Sequence, residues 1–280
     1  MRTLNQSIVK DLENKAQQIR KLILEISHKA QVGHIGSALS IADILAVLYF
    51  KILRINPKKP KWNLRDRFIL SKGHAVAALY STLFLKGFFT KKILLSYCQN
   101  KGFLGEHPEH RVLGVELTTG SLGHGLSVGL GMALSAKIDK KHYQTFILIS
   151  DAECNEGEVW QAALTASHHR LDNLIVIIDY NKVQALGTTR EVLNLEPFYA
   201  KWEAFGWNVF EVDGHNIAQM LETFTKVQTL KLKVQNKKPT VIIAHTIRGK
   251  GISFMENKLE WHYFTTNDKQ YRKAVKELES

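Results

Sequence analysis

The sequence predicts an α/β fold, a mainly parallel sheet with helices on both faces. Three observations predict it. Helix-like and strand-like patterns alternate along the 280 residues. Two short, unbroken apolar runs, 145–150 and 174–179, have the character of strands buried on both faces. A helical stretch over about 156–169 joins them, so strand, helix and strand close as a right-handed crossover.

The elements follow in order. Ile8, Leu12, Ile19, Leu22, Ile23 and Ile26 form an apolar stripe at helical spacing and predict a helix over 7–30. A break at Val32-Gly33-His34-Ile35-Gly36 follows. Ser40, with Asp43 three residues on, predicts a capped start for the next helix. Arg67-Phe68-Ile69-Leu70 reads as a short strand ending at Ser71-Lys72-Gly73-His74. After the central crossover, 207–212 and 240–244 read as two more strands, with a helix over about 217–230 between them. The charged stretch 269–280 predicts a terminal helix. With no linker or repeat visible, 1–280 is expected to be one domain.

Composition narrows the class. Hydrophobic residues make up 45% and charged residues 23%, which excludes a disordered chain or a long coiled coil. No run approaches the roughly 18 apolar residues of a membrane span, and the polar N-terminus lacks a signal-peptide core. Two cysteines, Cys98 and Cys154, form no CxxC pair, which argues against a disulfide scaffold and suits a cytoplasmic protein. The net charge of +12 invites a nucleic-acid reading. The basic residues are scattered, however, apart from clusters at 58–61 and 231–238, and no nucleic-acid module accompanies them. A solvated surface or attraction of anionic substrates explains the excess as well.

In parallel sheets ligands bind beyond the carboxyl ends of the strands. Asp151 follows the first central strand and Asn181 the second. Such oxygen donors suit Mg²⁺ or Ca²⁺ shared with phosphate oxygens, and the helix start at Glu156 offers an anion-binding turn. The alternative for each is local: Asp151 caps a helix and Asn181 serves a turn. Gly120, Leu122 and Gly123 belong to a Gly-rich stretch, 118–125, that permits close backbone approach but is neither GxGxxG nor a P-loop. His34, His74, His107 and His262 lie in loops, where together they could handle protons. His28, His168 and His169 fall in helical patterns. His107 and His110 form no metalloprotease motif.

These motifs in their order resemble transketolase, specifically its N-terminal, thiamine-diphosphate-binding part. They are Gln31-Val32-Gly33-His34-Ile35-Gly36, Asp66-Arg67-Phe68-Ile69-Leu70-Ser71-Lys72-Gly73-His74, Gly105-Glu106-His107-Pro108-Glu109, the stretch 114–125, Asp151 with Asn181, and 246–255. The resemblance covers nearly the whole chain and implies the thiamin-diphosphate-binding fold. It implies that Asp151, Asn181 and the Val183 carbonyl hold Mg²⁺ (Ca²⁺ or Mn²⁺ serving as well). Gly120, Leu122, Ala152, His74 and His262 would contact the cofactor, and Glu156 would face a partner. His34 and His262 would move protons, and His107 would touch the two-carbon unit passed from a ketose phosphate to an aldose phosphate, a step of the pentose phosphate pathway. It departs from the family at Ser150, Ala152 and Tyr263, where glycine is usual, at Tyr180, where a paired Asn is usual, and at 184–187, which lacks the usual acidic residue.

No pyrimidine-binding half follows within these residues. The resemblance therefore implies one subunit of a split enzyme, inactive without a separate C-terminal subunit. Self-association and a heterotetramer are expected, with neither nucleic acid nor membrane as partner. The alternatives are half of a deoxyxylulose-phosphate-synthase-like enzyme and a degenerate, non-catalytic subunit.

Overall fold

The structure, a computed structural model, describes residues 6–231 and 237–279. Five parallel strands form one sheet in the order β1 (Arg67–Leu70), β2 (Thr145–Ser150), β3 (Leu174–Tyr180), β5 (Thr240–His245), β4 (Asn208–Asp213). Around it lie α1 (Gln6–Ala30), α2 (Ile35–Leu39), α3 (Ala42–Val47), α4 (Val76–Lys86), α5 (Lys91–Leu94) and α6 (His124–Ile138). Then come α7 (Gly157–His168), α8 (Thr189–Val192), α9 (Phe198–Ala204), α10 (Ile217–Lys231) and α11 (Asp268–Glu277).

The apolar runs form central strands because alternate residues serve two cores. Phe146, Leu148, Ile175 and Ile177 face α1, α3, α4 and α10. Ile147, Ile149, Val176 and Ile178 face α6, α7 and α9. This is the α/β fold the alternation predicts, with helices on both faces. Edge strand β4 is less buried, as its mixed sequence Asn-Val-Phe-Glu-Val-Asp requires.

Helix α6 lies very close to β1 and β2. A Cβ on Gly129 would stand 2.3 Å from Ile147 Cδ1, and one on Gly125 would stand 2.2 Å from Ser71 Oγ. The glycines thus seat this helix and the 118–123 loop that leads into it.

One expectation fails. Ser40 starts no helix: the segment folds as two short helices, with Ser40 at the C-cap of α2 and Ile41 at the N-cap of α3, which has no side-chain cap bond. Ser40 Oγ instead reaches the β3 end, 2.8 Å from Asp179 Oδ2, and Asp43 pairs with Arg20 and His215. The C-terminal helix matches the expectation over Asp268–Glu277; Ser280 lies outside the described residues. Lys231 and Lys237 gather with Lys137, Lys140 and Lys141 at the end of the sheet where the central strands begin, while Lys233 lies outside the described residues. No described helix is long and apolar enough to cross a membrane.

Candidate active site

The loops that follow β1, β2, β3 and β5 converge on a cavity of about 380 Å³. His34, His74, His107, His262, Gly120, Leu122, Ala152, Glu156, Asn181 and Val183 all line it. The histidines, far apart in sequence, form a cluster. The His34 ring is 5.3 Å from His74 and 5.1 Å from His262. His34 has a left-handed backbone, φ 63°, and its N–H donates to the His262 carbonyl at 2.8 Å. Gly120 sits against His107: a Cβ there would be 3.2 Å from the ring.

Asp151 lies beneath the cavity wall, fully buried. Its Oδ1 accepts from Ala152 N at 2.7 Å, a local cap, and its Oδ2 accepts from Lys182 N at 2.6 Å, which joins the β2 and β3 loops. Burial, and then the Asp179 carboxylate, push its pKa up to about 7. Asn181 donates to Asp179 Oδ2 at 3.0 Å, so its own Oδ1, which accepts from Val183 N, is the amide's outward oxygen. A buried carboxylate short of positive charge, an oriented amide oxygen and the Val183 carbonyl form a donor set that fits a hard divalent cation.

Electrostatics narrows the role of the histidines. Burial, then the charge of Lys72, holds His74 well below its usual range. Burial and Arg248 push His262 down to about 3. Burial lowers His34 against the opposing pull of Glu106. All three are neutral at pH 7, so they act as hydrogen-bond donors and acceptors rather than as cationic acids.

Two cations of the site lie within the ordered motifs but received no role from the sequence. Lys72, fully buried, pairs with Asp179, and Arg248, 2% exposed, enters the cavity from the turn after β5. Arg248 Nη1 donates to the Val183 carbonyl at 3.2 Å and Nη2 to His262 Nδ1, while Nε is buried without a partner among the described residues. The signal for it was its place just beyond a strand end, the same signal that marks Asp151 and Asn181. Asn155 Oδ1 and Gln184 Nε2, also from the cavity lining, are likewise buried and unpartnered among the described residues. An unpaired guanidinium beside unmet polar atoms fits an anionic, polar ligand. Ala152 lies in a right-handed 3-10 turn, a conformation open to any L-residue, and Tyr263 is largely exposed beside His34 and His262.

The family model for the transketolase thiamine-diphosphate-binding domain matches residues 12–278. The chain belongs to this family. It is 44% identical to an apulose-4-phosphate transketolase subunit of Phocaeicola vulgatus, over 96% of this chain and 94% of that one. It is 43% identical to a 6-deoxy-6-sulfo-D-fructose transketolase subunit of Clostridium sp. strain MSTE9, over 96% of both. The crystal structure of Campylobacter jejuni transketolase superimposes with a TM-score of 0.88 at 31% identity, covering 99% of this chain and 43% of that one. The chain thus spans about two fifths of the solved transketolases and almost the full length of the relatives named as subunits.

Proposed function

We propose that this chain is the cofactor-holding N-terminal subunit of a transketolase. It would transfer a two-carbon ketol unit from a ketose phosphate, or a similarly anionic ketose, to an aldose phosphate. The observation that carries the reading is the convergence of three neutral histidines, the Asp151–Asn181 pair and an unpaired Arg248 on one strand-end cavity, in a chain as long as relatives that are themselves named as subunits.

The residues present fit thiamine diphosphate and a divalent cation. Asp151, Asn181 and the Val183 carbonyl would hold Mg²⁺. Arg248 would meet the diphosphate, with Gly120, Leu122, Ala152 and His74 along the cofactor. Bound thiamine diphosphate supplies the carbanion chemistry that breaks and makes the carbon–carbon bond. The chain's own part is to orient. His34 and His262, neutral, would hydrogen-bond the sugar carbonyl and hydroxyls and pass protons between them, while His107 would hold the terminal hydroxyl of the two-carbon unit. Arg248 fixes the His262 ring: its N–H points at Nδ1, so the proton sits on Nε2.

A partner subunit completes the site in this reading, with 1–280 as the single diphosphate-binding domain. Two neighbouring helices support it. Between His124 and Lys137, α6 carries no charge, although Val128, Gly131, Ser135 and Ile138 face outward. Beside it α7 exposes Gln161 and Leu164, with Glu156, just before it, at the rim of the cavity. A helix apolar on all sides is suited to burial. The C-terminal, pyrimidine-binding subunit would cover this face, self-association would build a heterotetramer, and the cytoplasm is the compartment that suits it.

The test is calorimetry with thiamine diphosphate and Mg²⁺ on the chain alone and mixed with a candidate C-terminal subunit. Cofactor binding and ketol transfer in the mixture, and no turnover by the chain alone, support the proposal. Turnover with pyruvate as donor would replace it by the deoxyxylulose-phosphate-synthase-like reading. Absence of binding in every mixture would leave a degenerate subunit.

A further inference from the structure

Behind the turn that carries Arg248 lies a buried ionic chain that touches no part of the cavity. Arg20 of α1 grips Asp43 of α3 with two N–H groups, one at 3.0 Å from Oδ1 and the other on Oδ2. Asp43 Oδ2 lies 2.7 Å from Nδ1 of His215, a residue just after β4. The other ring nitrogen, Nε2, accepts the backbone N–H of Ile247 at 2.8 Å. Arg20 Nε also donates to the Lys250 carbonyl at 3.2 Å, at the far end of the same turn.

This geometry leaves the imidazole one protonation state. Nε2 accepts from an N–H, so it carries no proton. The ring's proton is therefore on Nδ1, where it is donated to Asp43. Asp43 remains an acceptor: burial opposes its ionisation, but the Arg20 charge and the His215 bond outweigh that and hold it below the usual carboxylate range. The turn is also tied to β3 by Thr246 N to Tyr180 O at 3.2 Å, and to α2 by Gly249 N to Gly36 O at 2.9 Å. Of these ties, the His215 bond is made at the residue next to Arg248 by a side chain.

We propose that Arg20, Asp43 and His215 are positioning residues for the cofactor site, locking His215 as the Nδ1–H tautomer so that the Ile247 amide is held and Arg248 is aimed into the cavity. The inference rests on the reading of that cavity as the thiamine-diphosphate site. A ring held on one side by a carboxylate orients what its other nitrogen touches, here a backbone amide in place of a metal or a nucleophile.

The experiment uses four proteins: wild type, His215→Phe, His215→Gln and Asp43→Asn. Gln keeps an acceptor at the position of Nε2, and Phe keeps the ring shape without one. In Asp43→Asn the charge is lost and one of the two oxygens that grip Arg20 and His215 becomes an amide N–H, which loosens the hold on the ring. Long-range ¹H–¹⁵N NMR on the chain alone is expected to show the Nδ1–H tautomer in wild type. Amide exchange across 246–250 should rise in His215→Phe and Asp43→Asn and recover in His215→Gln. In the mixture with the C-terminal subunit, those two variants should weaken thiamine diphosphate roughly tenfold or more, with His215→Gln within about threefold of wild type and the KM for donor sugar at saturating cofactor unchanged. An Nε2–H tautomer in wild type, unchanged exchange, or wild-type cofactor affinity in folded His215→Phe overturns the proposal. Wild type that binds no cofactor in any mixture overturns the functional reading instead, and with it the cofactor role of these residues, while the tautomer and exchange still decide whether they hold the turn.

Discussion

Replacing Arg248 by methionine separates a ligand-binding cation from a structural one. The guanidinium is almost fully buried, and its hydrogen bonds go to the Val183 carbonyl and to His262, not to a carboxylate. At a contact separation of about 4 Å and an effective dielectric constant near 20, one charge attracts another by about 4 kcal/mol. The cavity is open to water, so about 2–4 kcal/mol is the expected loss, a rise in cofactor Kd of roughly 30- to 1,000-fold. The free chain should not suffer: burying a charge without a counter-charge costs several kcal/mol, which the methionine avoids. Isothermal titration with thiamine diphosphate and Mg²⁺ in the presence of the C-terminal subunit reads the first quantity, and thermal unfolding of the chain alone reads the second. The expected pattern is weak binding with an unchanged or raised midpoint. His262, relieved of the Arg248 charge, should also titrate above its wild-type value of about 3. A Kd within threefold of wild type, or a midpoint lower by more than about 4 °C, would show that Arg248 serves the fold and would refute its assignment to the ligand.

Three further outcomes are expected. His107→Ala should lower kcat/KM for ketol transfer by about 10- to 100-fold, the value of a hydrogen bond to substrate, and change cofactor Kd less than about threefold; equal losses in both assays would mean the role is misplaced. Gly129→Ala should destabilise the chain by about 1–3 kcal/mol through overpacking against Ile147, and Ile147→Val, which removes the clashing Cδ1, should recover at least about 1 kcal/mol of it in a denaturation double-mutant cycle. Lys231 is held by burial at about 8, below its ordinary 10.5. The unfolded chain therefore binds that proton more readily, stability falls as pH drops from 10.5 to 8, and the cost is complete below 8. Lys231→Met should raise stability by about 1–2 kcal/mol at pH 7, after discounting for partial exposure, and by little at pH 10.5; equal gains at both pH values would contradict this origin.

What the sequence by itself determined was local and periodic. The runs around Ile147 and Ile177 specify strands buried on both faces, the α1 stripe specifies its buried side, and the placement of Asp151 and Asn181 after successive strands brings both to one end of the sheet. The loop histidines and ordered motifs carried the family. The tertiary structure decided which polar side chains meet. Ser40 offered a cap by local pattern but bonds Asp179, 139 residues away. Lys72 finds the same carboxylate across 107 residues, and His215 finds Asp43 across 172. Hydrophobic periodicity records which face of a helix or strand is buried, and so it survives in a linear reading. Partners for buried charges are set by strand order and by how closely helices approach the sheet. The protonation states of the site follow from those partners and from burial, which is why neutral histidines and an unpaired Arg248 emerge only from the folded chain.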